Sequence, residues 1–221
     1  MYMSRIRPAA CGVEQLRRLA VLAGGGQYRI HQALWKLFET DPNASRDFLY
    51  RQEGQADELA FLVMSRRQPA NDDELWQVQT KAYSPRLKTG QSLAFSIRIN
   101  PVVKRRDDTG RQHRHDLVMD LKKKDPGTAG TQAERVQLAA RQWLANRQSQ
   151  YGFELAEQTV IVGAYRQWRF AGKGGNRISF SSIDCSGLLT VTDTAHFESA
   201  LMNGVGPAKA FGCGLLLIRP A

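Results

Sequence analysis

Tyr28-Arg29-Ile30-His31-Gln32-Ala33-Leu34-Trp35-Lys36-Leu37-Phe38 places Ile30, Ala33, Leu34, Leu37 and Phe38 on one arc of a helical projection, the pattern of a helix laid against a sheet. Gly24-Gly25-Gly26 precedes it, and Pro42 with Asn43 breaks it on the far side. Upstream, Tyr2 to Arg7 reads as a short strand and Val13 to Leu22 as a helical or irregular connector. Downstream, Phe48 to Arg51, Leu59 to Ser65 and Leu75 to Ala82 are strand-like runs separated by polar turns. The order is β-α-β-β with one more strand.

After Ser84-Pro85 and Thr89-Gly90, which read as a linker, the order begins again. Leu93 to Val103 alternates as a strand, and Thr131 with Glu134 forms a capping box ahead of a helix running to about Arg147. Thr159 to Phe170 and Ile178 to Val191 flank the turn Gly172-Lys173-Gly174-Gly175-Asn176 and read as a hairpin. A second helix, Ala195 to Asn203, stops at Gly204, and Leu215 to Ile218 makes a last apolar strand. The expected architecture is α+β, with two tandem ferredoxin-like (RRM-like) domains at 1–88 and 92–221. A single larger α+β domain is the alternative.

A chain of 221 residues with 42% hydrophobic content buries a proper core. Its 31 Lys and Arg against 21 Asp and Glu give a formal charge of +10, which attracts a polyanion such as nucleic acid or an anionic membrane. No stretch reaches the roughly 18 to 20 apolar residues of a membrane span, and the opening MYMSRIRPAA lacks a signal-peptide core. A cytoplasmic protein that does not enter a membrane is expected. Cys11, Cys185 and Cys213 are too far apart for zinc-ligand spacing or a disulfide framework. There is neither a P-loop nor a dinucleotide-binding glycine pattern. No metal and no cofactor are expected.

Three groups of residues carry candidate chemistry. Tyr28 and His31, three apart on the first helix, stack on neighbouring turns and can share one substrate. An imidazole exchanges a proton near neutral pH, although a lone helical histidine is more often structural. Second, Gly204-Val-Gly206-Pro-Ala-Lys209-Ala-Phe-Gly212-Cys-Gly214 puts four glycines and a lysine into one connection. It is either a cradle presenting N–H groups and Lys209 to phosphate or a tight structural turn. Third, positive charge recurs at Lys104-Arg105-Arg106, Arg111, Arg114 and Lys122-Lys123-Lys124, read as one long loop, and at Arg166, Arg169, Lys173 and Arg177 on the hairpin, interleaved with Tyr165, Trp168 and Phe170. That mixture suits gripping a nucleic-acid backbone. A solvated face explains any single cluster. His113, His115 and His196 receive no role. No helix-turn-helix or zinc-finger pattern supports a DNA-binding regulator.

Tyr-x-x-His-Gln-Ala-Leu-Trp-Lys-Leu-Phe at 28–38, Ala-Ser-Arg-Asp-Phe-Leu-Tyr at 44–50 and Gly-Val-Gly-Pro-Ala-Lys-Ala-Phe-Gly-Cys-Gly-Leu-Leu-Leu-Ile at 204–218 resemble the CasE family. These are the repeat-processing endoribonucleases of type I-E CRISPR systems. The opening Met-Tyr-Met-Ser-Arg and Arg98-Ile-Asn-Pro101 also fit. The resemblance implies two ferredoxin-like domains and a metal-independent cut of pre-crRNA at the 3′ base of the repeat stem-loop. It places His31 and Tyr28 in the catalytic positions. It further implies retention of the crRNA hairpin within Cascade, the other Cascade subunits as partners, and a monomer outside that complex. Lys36 projects about 140° from His31 around the helix and is left out of the site.

Overall fold

The computed structural model describes residues 1–9, 12–24, 26–38, 46–53, 59–71, 74–124, 130–172 and 176–221. The first part contains β1 (Tyr2–Pro8), α1 (Val13–Gly24), α2 (Gly26–Lys36), β2 (Phe48–Glu53), β3 (Ala60–Ser65) and β4 (Trp76–Ala82). Its strands form an antiparallel sheet in the order β2-β3-β1-β4. The anticipated apolar arc of α2 packs on this sheet, with Ile30, Leu34, Leu37 and Phe38 buried against Ile6, Phe48, Tyr50, Phe61, Val63 and Trp76. Burying side chains of this size on one face ties the helix to the sheet, because each removes apolar surface from water.

The second part contains β5 (Ser92–Ile99), β6 (Val102–Arg106), β7 (Gln112–Asp116), α3 (Leu117–Lys124), α4 (Gln132–Ala145), β8 (Phe153–Leu155), β9 (Ile161–Ala171), β10 (Arg177–Val191), α5 (Thr194–Asn203) and β11 (Leu216–Pro220). Its antiparallel sheet runs β11-β5-β10-β8, with β9 also paired to β10. Trp143 and Leu144 of α4 and Phe197 and Leu201 of α5 fill the core beneath it. The strand orders of both sheets are those of a ferredoxin-like fold, so the α+β architecture of two such units holds. The expected capping box is present: Thr131 Oγ1 accepts from Glu134 N, and the Glu134 carboxylate accepts from Thr131 N.

The two sheets meet on the faces turned away from their helices. Leu49, Met64 and Leu215 form a small apolar seam, flanked by Met1, Met3, Leu62, Tyr83 and Leu217. Beside it, Arg51 donates to Ser96 Oγ at 2.9 Å. This seam holds the connection after α5 against the strand that follows α2.

The basic stretch after Lys104 is a loop in the sequence reading and is ordered structure in the fold. Lys104 and Arg105 lie in β6 and Arg114 in β7, two strands that pair as a ribbon, and Lys122 to Lys124 end α3. Asp107 makes the ribbon's turn, its Oδ1 accepting from the N–H groups of Thr109 and Arg111, with Gly110 at a φ of 81°. β6 ends, and β7 is, exposed on both faces. There is therefore no apolar alternation to reveal the ribbon. Among the described residues no helix is long and apolar enough to cross a membrane.

Candidate active site

α2 carries His31 on the edge of its buried arc, where three aromatic rings hold the imidazole. Trp35 meets it edge-on at 5.8 Å, and Phe48 and Tyr50 of β2 lie stacked at 6.2 and 6.4 Å between centroids. Among the described residues His31 Nδ1 is buried without a hydrogen-bond partner, and the three rings pack the imidazole in place. Burial, and then the positive charge of Arg46, push its pKa from 6.5 down to about 4. The imidazole is therefore neutral at pH 7.

Tyr28 lies one turn earlier, half-buried, and its hydroxyl accepts from Gln32 Nε2 at 3.4 Å. Lys36 is exposed and faces an outer groove shared with Arg17, Arg18 and Arg29.

The glycine-rich connection between α5 and β11 comes to this same place. Lys209 to Phe211 form a single helical turn that packs on α2 and β2, and the Tyr50 hydroxyl donates to the Ala210 carbonyl at 3.0 Å. Lys209 is half-buried, and burial followed by the nearby charge of Arg46 lowers its pKa. Arg46, just before β2, is itself lowered by burial. Three nitrogen groups, on His31, Arg46 and Lys209, thus share one positive field.

Gly204, Gly206, Gly212 and Gly214 all have φ values in the left-handed region. At Gly206 the reason is steric as well: a Cβ there would lie 2.6 Å from the Trp143 ring. The N–H groups of Gly204, Val205, Gly206 and Gly214 donate to Ala200 O, Gly214 O, Tyr151 Oη and Arg98 O. These hydrogen bonds shape the connection.

The basic hairpin β9–β10 lies alongside. Phe170 Cβ is 3.6 Å from the position a Cβ would take on Gly26, so the hairpin closes on the start of α2. Strand pairing sets Arg169 opposite Ser179 and Arg177 opposite Ala171, on one face, whereas Arg166 pairs with Ser182 on the other face with Trp168 and Phe170. Lys173 lies outside the described residues. On the β6–β7 ribbon, Lys104, Arg106 and Arg114 share a face, while Arg105 faces the other way and pairs with Asp120 at 2.5 Å. Among the described residues, no group of three His, Cys, Asp or Glu is placed to hold a metal.

Arg46 and Tyr50 were not among the sequence-derived candidates. Both lie in the Ala-Ser-Arg-Asp-Phe-Leu-Tyr segment, where the arginine beside an aromatic strand was the available signal.

Comparison with known proteins identifies the family. The family model described as CRISPR associated protein matches residues 1–220. The CRISPR system Cascade subunit CasE of Escherichia coli K12 is 28% identical over 196 residues, covering 87% of this chain and 92% of CasE. The CRISPR-associated endoribonuclease Cse3 of Thermus thermophilus is 32% identical over 149 residues, 63% of this chain and 61% of Cse3. Among solved structures, Cse3 bound to a 19-nucleotide RNA superposes with a TM-score of 0.69 at 26% identity, covering 99% of both chains. Escherichia coli Cas6e superposes with a TM-score of 0.67 at 26% identity over the full length of each. The chain belongs to the CasE family of CRISPR-associated proteins.

Proposed function

We propose that this protein binds the stem-loop of a CRISPR repeat and cuts pre-crRNA once, at the 3′ base of the stem. It then stays on the crRNA as a Cascade subunit. The observation that carries this reading is the meeting of α2 with the Lys209 turn. A neutral imidazole and Lys209 both lie there within the field of Arg46, in a chain whose relatives include a named endoribonuclease.

The ribose 2′-hydroxyl attacks the adjacent phosphorus, and the P–O5′ bond breaks. The products are a 2′,3′-cyclic phosphate and a 5′-hydroxyl. The nucleophile belongs to the substrate, so no metal-activated water is required. His31 accepts the 2′-hydroxyl proton through Nε2, because Nδ1 is enclosed by the fold. The depressed pKa keeps it in the accepting form. The departing 5′-oxygen takes its proton from water. Tyr28 orients the ribose or phosphate, and Lys209 and Arg46 stabilise the extra negative charge of the transition state. Lys104, Arg106, Arg166, Arg169, Lys173 and Arg177 hold the RNA. Arg105 contributes less, being paired with Asp120. Gly204, Gly206, Gly212 and Gly214 act by shaping the turn that presents Lys209. We further read residues 1–88 and 92–221 as the two domains, the free protein as a monomer, and its place of action as the cytoplasm.

A second reading, a hairpin-holding subunit without catalysis, is favoured by one observation: three rings pack His31 as they would a structural residue. Incubation of purified protein with labelled repeat RNA in excess EDTA separates the two. A single cut with a cyclic phosphate end, blocked by deoxyribose before the scissile phosphate, is expected. Tight binding with intact RNA establishes the second reading instead.

A further inference from the structure

A cavity of about 450 Å³ lies between the two basic hairpins and the glycine-rich connection. Its origin is topological. β5 ends at Ile99, opposite Ile183, so among the described residues β10 from Ile178 to Ser182 has no strand beside it on that edge. The side chain of Asn100 covers part of the edge, donating to Ser181 O at 2.7 Å. Arg114 and Asp116 of β7 wall one side, and Pro207, Ala208 and Phe211 the other.

Two features define what fits. The first is a stack of near-parallel rings: Trp168 on Phe180 at 6.1 Å and 16°, then Phe180 on Phe211 at 5.3 Å and 22°. Phe211 ends the stack, is half-buried and lines the cavity, so a further flat ring continues the series. The second is charge. Arg114 and Arg169 line the cavity, and neither has an ion-pair partner among the described residues. The one carboxylate there is occupied: Asp116 accepts from Met119 N, from the Tyr165 hydroxyl and from the Ser181 hydroxyl. A flat apolar end-plate beside two open guanidinium groups is the chemistry that binds an unstacked base and its phosphate. The volume suits one such unit, and a base still paired in a stem is not free to stack there.

We propose that this cavity takes one unpaired nucleotide of the bound RNA, next to the bond that is cut, with its base stacked on Phe211 and its phosphate between Arg114 and Arg169. The inference rests on the RNA-cutting function proposed above. Its location follows from the chain: the Lys209–Phe211 turn packs on α2 and β2, and Phe211 at its end lines the cavity. An RNA strand crossing that turn places neighbouring nucleotides at the two sites. The cavity thus reads an unpaired residue beside the stem, which the cations along the hairpins do not.

The test uses full-length protein and repeat hairpins carrying deoxyribose at the cleavage position, so that they bind without being cut. Each unpaired nucleotide flanking the stem is replaced in turn by an abasic residue. At one position the abasic change is expected to weaken wild-type binding about tenfold, and to cost the Phe211→Leu protein almost nothing further. Arg114→Ala, on the exposed ribbon, provides a second variant. It should weaken binding of the full RNA but not of RNA truncated before that nucleotide. Wild-type binding indifferent to every abasic change, or an abasic penalty undiminished by Phe211→Leu together with an Arg114→Ala effect that survives truncation, overturns the site while leaving hairpin binding intact. Failure to bind any repeat hairpin overturns both this site and the function on which it rests.

Discussion

The ring of Tyr50 lies 6.4 Å from that of His31 at an interplanar angle of 19°, and the hydroxyl of the same Tyr50 donates to the Ala210 carbonyl 3.0 Å away. One buried side chain therefore supports the imidazole and anchors the turn that carries Lys209. Tyr50→Phe keeps the ring and removes only the anchor. It should cost about 1 to 3 kcal/mol in denaturant unfolding, the usual penalty for a buried acceptor left without its donor. It should also slow cleavage by releasing Lys209, with little change in RNA affinity. Unchanged cleavage with the stability loss present would show that the anchor serves the fold alone.

His31→Ala removes the proposed proton acceptor without touching the hairpins. Cleavage under single-turnover conditions should fall by about 10² to 10⁴, the usual worth of a general base, while affinity for the uncut hairpin stays within a few-fold. Tyr28→Phe should slow the reaction less, because it orients rather than accepts. Cutting by His31→Ala at the wild-type rate would remove His31 from the reaction.

The pKa of His31 leads to two pH effects with worked signs. Folding holds the imidazole near 4, against 6.5 when exposed. Between those values the unfolded chain binds a proton that the folded one does not. Stability is therefore complete above about pH 6.5 and declines as pH falls toward 4. For the same reason the acid limb of the second-order cleavage rate should lie below 6.5. Arg46 lowers the pKa by opposing a second positive charge, so Arg46→Gln should move that limb upward. An acid limb at 6.5 that Arg46→Gln leaves in place would contradict the assignment of His31 as the base.

The hairpin arginines separate by face. Arg169 and Arg177 share one face of the hairpin, and Arg166 lies on the other with Trp168 and Phe170, toward α2. Arg169→Ala and Arg177→Ala should each weaken binding and reduce the slope of log affinity against log salt by about one. Arg166→Ala should show more strongly in the cleavage rate. Identical salt slopes for wild type and all three variants would return these residues to the solvated surface.

Legibility in the sequence followed apolar patterning. α2, α4 with its capping box and the long strand β10 all bury one face and leave a period to be read. β8 has three residues, too few to show one. The β6–β7 ribbon is held by pairing and an Asp107 turn with little burial. The site divides in the same way. Tyr28 and His31 lie on one helical turn and could be paired by spacing. Tyr50 reaches Ala210 across 160 positions, and Arg46 acts on His31 and Lys209 from outside either motif. Local order in the sequence cannot display approaches of that length. The partners of the Gly206 and Gly214 N–H groups, Tyr151 and Arg98, are likewise distant in the sequence.

Product release is the step expected to limit turnover. Lys104, Arg106 and Arg177 lie on the two basic hairpins, where a folded stem offers the densest phosphate charge. Cleavage at the foot of the stem leaves that stem whole. In the proposed mechanism the bond broken lies at His31 and Lys209, so nearly all the contacts that bind substrate also bind product. With chemistry faster than release, excess substrate should give a burst of about one equivalent followed by a slow phase. Since phosphate contacts weaken with salt, raising the salt concentration should speed the slow phase while leaving the size of the burst unchanged. Gel filtration after the burst should find the cut hairpin with the protein. Steady turnover without a burst, with product eluting free, would place the binding energy on the RNA segment that leaves rather than on the stem.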